Sequence, residues 1–228
     1  MIYFMRVPKT GSQAMATLIM RYLSKKNEYN VHIGPVKQYG EPFLTAYEQE
    51  SHIIETLFDI DESKAFIGNH ENYIEYASFG FEKPIYISLV RNPIEKVISW
   101  FYYSRSNLYK PSNITLFSRR YEKFGGESNW RNKTFDDCIK NFEVECRFIP
   151  MNSRKVQGYK RQIIQFCGNY KPCWEFGSPL AVQMAKDNVE RNFAVVGTWE
   201  DPEITLTVLE HYIPKYFKGA LELYKGSY

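Results

Sequence analysis

The chain has 228 residues, 44% hydrophobic and 24% charged, which excludes overall disorder and allows one sizeable core. No stretch approaches the ~18 consecutive apolar residues of a membrane span, so an anchor is not expected in this chain. The formal charge is only +3, yet residues 105–171 hold fourteen Lys or Arg against six Asp or Glu, a basic middle that implies an acidic partner.

In chain order, Ile2–Val7 reads as a strand, and Met15, Leu18, Ile19, Tyr22 and Leu23 are spaced as the apolar stripe of a helix. Between them lie Arg6, Val7, Pro8, Lys9, Thr10, Gly11, Ser12 and Gln13. A helix start offers unpaired N–H groups and partial positive charge, and Lys9, Thr10 and Ser12 add an ammonium and two hydroxyls. This suits a phosphate, although the lysine precedes the glycine and the sequence is no Walker A loop. Val31–Ile33 and Lys64–Ile67 are further strands, the second leading to His70. Pro84–Val90 reads as a buried strand, after which Arg91-Asn92-Pro93 opens a helix with Asn92 as N-cap and Pro93 at N1. That helix is expected to turn Ile94, Val97, Ile98 and Phe101 inward. Arg91 and Ser99 repeat the anion-binding chemistry of the first junction, so two phosphate cradles point to a nucleotide with two phosphate groups.

From about Leu108 to Arg161 the sequence is polar, basic and without clean periodicity, and it reads as an acceptor-binding lid inserted in one domain spanning 1–228. Cys138, Cys146, Cys167 and Cys173 allow three pairings, and neither separation, eight or six, resembles a zinc site. Asn113-Ile114-Thr115 and Asn132-Lys133-Thr134 are glycosylation sequons. Ser178-Pro179 and Asp201-Pro202 each cap a helix, and Phe193–Gly197 is a strand between those helices. The alternation predicts an α/β fold, a mainly parallel sheet with helices on both faces. Ligands then collect at the carboxyl ends of the strands, where Lys9, His70 and Arg91 all lie.

Arg6-Val7-Pro8-Lys9-Thr10 with Ser12, and Val90-Arg91-Asn92-Pro93-Ile94-Glu95 with Ser99, resemble the paired signatures of Golgi carbohydrate sulfotransferases. The resemblance is closest to the 2-O-sulfotransferases of heparan and dermatan or chondroitin sulfate. It extends through His70-Glu71-Asn72-Tyr73, Thr134–Cys138, Phe166-Cys167-Gly168, Cys173-Trp174 and Tyr216–Ala220. It implies a P-loop-like sulfotransferase fold and the donor PAPS (3'-phosphoadenosine 5'-phosphosulfate) as co-substrate, without a metal. Pro8, Lys9, Thr10, Gly11, Ser12 and Gln13 would hold the 5'-phosphosulfate, and Arg91 and Ser99 the 3'-phosphate. The resemblance also implies His70 as general base, bridges Cys138–Cys146 and Cys167–Cys173, and a Golgi lumen location, while Lys9 is the candidate cation for the charge that develops on the departing phosphate.

The expected acceptor is an acidic glycosaminoglycan, with Arg6, Lys110, Arg119 and Arg120 as contacts, and not nucleic acid, since no nucleic-acid motif occurs. Lys110 stands where the family has an arginine, and Gly68-Asn69-His70 stands where it has His-Gly-His. The family carries an N-terminal anchor and a basic, glycine-containing C-terminal loop, so this chain is expected to be a catalytic fragment, with its oligomeric state open. Of the other histidines, His52 and His211 fall in helical patterns and read as structural. Two competing functions are a P-loop-like phosphotransferase and a non-catalytic glycosaminoglycan-binding homologue.

Overall fold

The computed structural model describes residues 1–34, 44–58, 60, 64–106, 122, 125–143, 146 and 162–226. They fall into two compact units, Met1–Arg91 with Asn152–Tyr228, and Asn92–Met151.

The first unit is built on five parallel strands: β1 (Ile2–Met5), β2 (Asn30–Ile33), β3 (Ala65–Asn69), β4 (Ile85–Val90) and β5 (Phe193–Thr198). Their order is β2-β3-β1-β4-β5, with β1 central. Successive side chains of a strand point to opposite faces, and here both faces are covered. Ile2 and Phe4 of β1 enter one core, with Met15, Ile19, Leu206 and Phe217. Tyr3 and Met5 enter the other, with Ile53, Tyr73, Phe166 and Ala181. Helices from both halves of the chain therefore sandwich the sheet, as the α/β reading expects.

The helix after β1 spans Ser12–Leu18, passes through a π-turn over Ile19–Leu23, and ends with Ser24–Lys26. The wider turn re-phases the apolar stripe. Leu23 stays buried while Tyr22 is turned out, 43% exposed, contrary to the helical spacing. Ser178 and Asp201 cap their helices as expected, accepting from the N–H groups of Ala181 (3.2 Å) and Ile204 (3.1 Å). The Cys167–Cys173 disulfide closes a short loop in this unit.

The second unit contains the helix Pro93–Arg105, with Glu127–Asn132 and Phe135–Lys140. Asn92 Oδ1 caps the first of these, accepting from Ile94 N (2.9 Å). The helix buries Lys96, Val97, Phe101, Ser104 and Arg105, whereas Ile94, expected inside, is 64% exposed. Ile94 belongs to a first turn that is exposed throughout, from Asn92 to Glu95, while at the other end of the helix the Arg105 guanidinium covers the ring of Phe101 at 3.4 Å and that of Trp130 at 4.5 Å. Such a cation stacked on two rings lends the helix a buried face that hydropathy does not register. The Cys138–Cys146 disulfide packs with Phe101 and Phe135.

Phe66 of β3, fully buried, touches the rings of Phe4, Tyr29 and Phe217 at centroid distances of 6.1 to 6.3 Å. Phe66→Ala is expected to lower stability by about 3–5 kcal/mol, read from urea unfolding followed by far-UV dichroism.

Candidate active site

The loop between β1 and its helix has two left-handed residues, Lys9 at φ 66° and Gly11 at φ 83°. A non-glycine residue rarely adopts that conformation, so the surroundings must hold Lys9 there. Thr10 is fully buried and its hydroxyl donates to the Val7 carbonyl at 2.9 Å, locking the turn from within. Any ligand contact from Thr10 is thereby left to its main-chain N–H. Gly11 is the N-cap and supplies no capping side chain, so the first-turn N–H groups face the loop without a side-chain acceptor. A Cβ on Gly11 would collide with the Trp199 side chain, which follows β5 and meets Tyr224 edge-on at 5.9 Å. Ser12 is buried, Pro8 half-buried and Gln13 exposed.

Parallel pairing sets Met5 opposite Asn69 on β3 and Ser88 on β4. The next residues along, Arg6 and His70, are consequently neighbours. Arg6 N–H donates to the Asn69 carbonyl at 2.8 Å, and His70 Nδ1 lies 2.6 Å from the Arg6 carbonyl. A carbonyl can only accept, so Nδ1 carries the proton and Nε2 keeps its lone pair. Burial, then the positive charge of Arg6, pushes the His70 pKa down to about 4, against the raising effect of the Arg6 carbonyl. The imidazole is neutral at physiological pH. The Arg6 guanidinium turns inward, donates to Gln13 Oε1 at 2.9 Å, and has an Nε–H without an acceptor among the described residues.

Arg91, at the end of β4, reaches the first junction directly. Its Nη1 donates to the Lys9 carbonyl at 3.4 Å, and its Nε lies 4.0 Å from Glu200. Gln162 braces the Arg91 main chain, accepting from its N–H at 2.9 Å and donating to its carbonyl. The Lys9 ammonium is pulled below its ordinary pKa by burial first and by the charge of Arg91 second. Two cations that repel each other across one loop form a site whose electrostatics favour an anion between them.

Ser99 stands half-buried on Pro93–Arg105 in the second unit. Lys110, Arg119 and Arg120 lie outside the described residues. Several residues that sequence reasoning passed over hold the His70 segment. Asn69 donates from Nδ2 to Tyr3 Oη at 3.1 Å and accepts at Oδ1 from Gly34 N at 3.0 Å, tying together the ends of β2 and β3. His52, read as merely structural, is buried in the helix Ala46–Phe58 with Nε2 2.5 Å from Glu71 Oε2. Burial raises the Glu71 pKa to about 8. The only sequence signal for this pair was a histidine on the inner side of a helix and a glutamate beside the candidate base. Gly11→Ala, which must strain φ and displace Trp199, is expected to lower the thermal melting temperature, read from a calorimetric scan.

The chain matches the sulfotransferase family over residues 1–227. It is 37% identical over 225 residues to the uronyl 2-sulfotransferase homolog pip of Drosophila melanogaster, covering 98% of this chain and 43% of that protein. To heparan sulfate 2-O-sulfotransferase 1 of Homo sapiens and of Gallus gallus it is 33% identical over 227 residues, 98% of this chain and 58% of each relative. The chain thus spans about half the length of the curated relatives it matches. With the motifs at Arg6–Ser12 and Val90–Glu95 placed at the ends of adjacent parallel strands, and the match running nearly end to end, the chain belongs to the sulfotransferase family.

Proposed function

We propose that the chain transfers a sulfuryl group from PAPS to the 2-hydroxyl of a uronic acid in heparan or dermatan/chondroitin sulfate. The observation that carries this reading is the His70 Nδ1 to Arg6 carbonyl hydrogen bond at the strand edge beside the Lys9 loop, because it leaves an unprotonated Nε2 for the acceptor hydroxyl. The names of the relatives supply the acceptor class, and the fit of donor to site rests on Lys9, Arg91 and the uncapped turn at Gly11. PAPS supplies an activated sulfuryl group on a phosphate leaving group.

In the proposed reaction, His70 Nε2 takes the proton of the acceptor hydroxyl, the hydroxyl oxygen bonds to sulfur, and the bond from sulfur to the 5'-phosphate oxygen breaks. Lys9 and the loop N–H groups stabilise the charge left on that oxygen, while Arg91 and Ser99 hold the 3'-phosphate. A preformed set of donors is effective because it needs no rearrangement as charge develops. Arg6, Lys110, Arg119 and Arg120 are the cations proposed to pair with acceptor carboxylate or sulfate. The 108–161 segment serves as the acceptor-binding part of one catalytic domain. Bridged cysteines favour an oxidising compartment, consistent with action in the Golgi lumen.

The direct test is sulfate transfer from labelled PAPS to desulfated heparan and dermatan acceptors. Lys9→Ala is expected to slow transfer about 100- to 1000-fold while acceptor binding persists. Retention of full turnover would remove Lys9 from the mechanism. His70→Ala should lower the rate roughly 100- to 10,000-fold with PAP affinity unchanged. The wild-type rate should hold level through neutral pH and fall only as acid protonates His70, near its pKa of about 4. An acid limb near the ordinary histidine value of about 6.5 would contradict the buried environment assigned to His70.

A further inference from the structure

Two residues beyond His70 the chain is clasped by a loop from a distant part of the sequence. Asn169, 7% exposed, lies between Cys167 and Cys173, which are bonded to each other. Its Oδ1 accepts from Asn72 Nδ2 at 3.2 Å and from Leu44 N at 3.1 Å, using both lone pairs. Its Nδ2 donates to the Tyr73 carbonyl at 3.4 Å, and Tyr73 N–H donates to the Gln165 carbonyl at 2.7 Å. Gly168, at φ 99°, brings the loop so near that a Cβ there would lie 3.1 Å from the Tyr73 carbonyl oxygen. On the loop's other side, Asn188 Nδ2 donates to the carbonyls of Phe166 (2.9 Å) and Cys167 (3.2 Å), anchoring it to the helix Pro179–Asn192.

We propose that Asn169, held in the loop closed by Cys167–Cys173, is a positioning residue for His70. The inference rests on the reading of His70 as base. His70 is held upstream by β3 and the Arg6 carbonyl, but nothing in β3 fixes the chain once it leaves the sheet. Glu71, which meets His52, is the next point of attachment, and Asn72 and Tyr73, both bound by Asn169, follow it. None of the contacts described for Asn169 involves the Lys9–Ser12 loop, so its loss should move the base without disturbing the nucleotide cradle. A shift of about 1 Å in a reacting group can cost on the order of 100-fold in rate.

The test is a double-mutant cycle on sulfate transfer, with PAP affinity measured in parallel. Asn169→Ala is expected to lower kcat about 10- to 100-fold while PAP affinity stays within about twofold and acceptor KM changes little. In a His70→Ala background the same substitution should have almost no further effect, because there is no base left to misplace. Asn169→Asp, which keeps the oxygen acceptor but not the donor to Tyr73, should fall between Ala and wild type. Asn72→Ala carries the same cycle, with a smaller effect, should Asn169→Ala fail to fold. An undiminished Asn169→Ala penalty in the His70→Ala background overturns the positioning role while leaving the base assignment intact. A parallel loss of PAP affinity also overturns it. Wild-type turnover by His70→Ala alone removes the base assignment, and the inference with it.

Discussion

The hydrogen bond between His70 Nδ1 and the Arg6 carbonyl can form only because β1 and β3 run parallel in the register that pairs Met5 with Asn69. Both strands then end at one level, and the first residue past each is presented at the same edge. That edge carries nearly all the candidate chemistry. Arg6 contributes its carbonyl to His70 and its guanidinium to Gln13, while β4, on the other side of β1, ends one residue before Arg91. A slip of one residue in a parallel pair would send every side chain of the strand to the opposite core, so burial on both faces enforces the register. The site inherits its precision from that burial.

Electrostatically, the edge gathers the positive charges of Arg6, Lys9 and Arg91. Burial, and then the charge of Arg91, holds the Lys9 ammonium below its ordinary pKa, and burial does the same to Arg6. Glu200 stands 4.0 Å from the Arg91 Nε. The Glu71 carboxyl, beside His70 in the chain, is engaged with His52. An anionic ligand suits this gathering of cations, and the first turn beyond Gly11, without a side-chain cap, adds N–H donors at the same place. The same positive field acts on His70, where it helps keep the imidazole neutral. A neutral histidine is ready to accept a proton, though a low pKa makes it a weaker base, so orientation must contribute more to the rate.

That need gives meaning to the attachments around His70. Asn69 ties the strand end to Gly34 and Tyr3, His52 meets Glu71, and Asn169 holds Asn72 and Tyr73. Four consecutive positions from 69 to 72 are thus engaged with residues remote in sequence. The Gly68 Cβ position would lie 3.3 Å from the Arg6 side chain, so a larger residue there requires Arg6 to shift. The inward guanidinium of Arg6 and the glycine at 68 are mutually adjusted.

The sequence by itself determined the five strands, the two motif-bearing junctions and the helix starts at Asn92, Ser178 and Asp201. Those features are local: apolar runs, helical spacing, and side chains that cap the turn next to them. It also determined that Lys9, His70 and Arg91 follow strands, and through its resemblance to known sulfotransferases it indicated the two cysteine pairings. Strand order, register and the partners of His70 were decided only by the tertiary structure. The π-turn that exposes Tyr22, the burial of Arg105 against Trp130, and the His52–Glu71 pair all depend on neighbours farther along the chain. Asn169 is the clearest case, because an asparagine between two cysteines has no local periodicity to mark it. Its hydrogen bonds reach back 96 and 97 residues, to Tyr73 and Asn72, and only packing of the two segments reveals them.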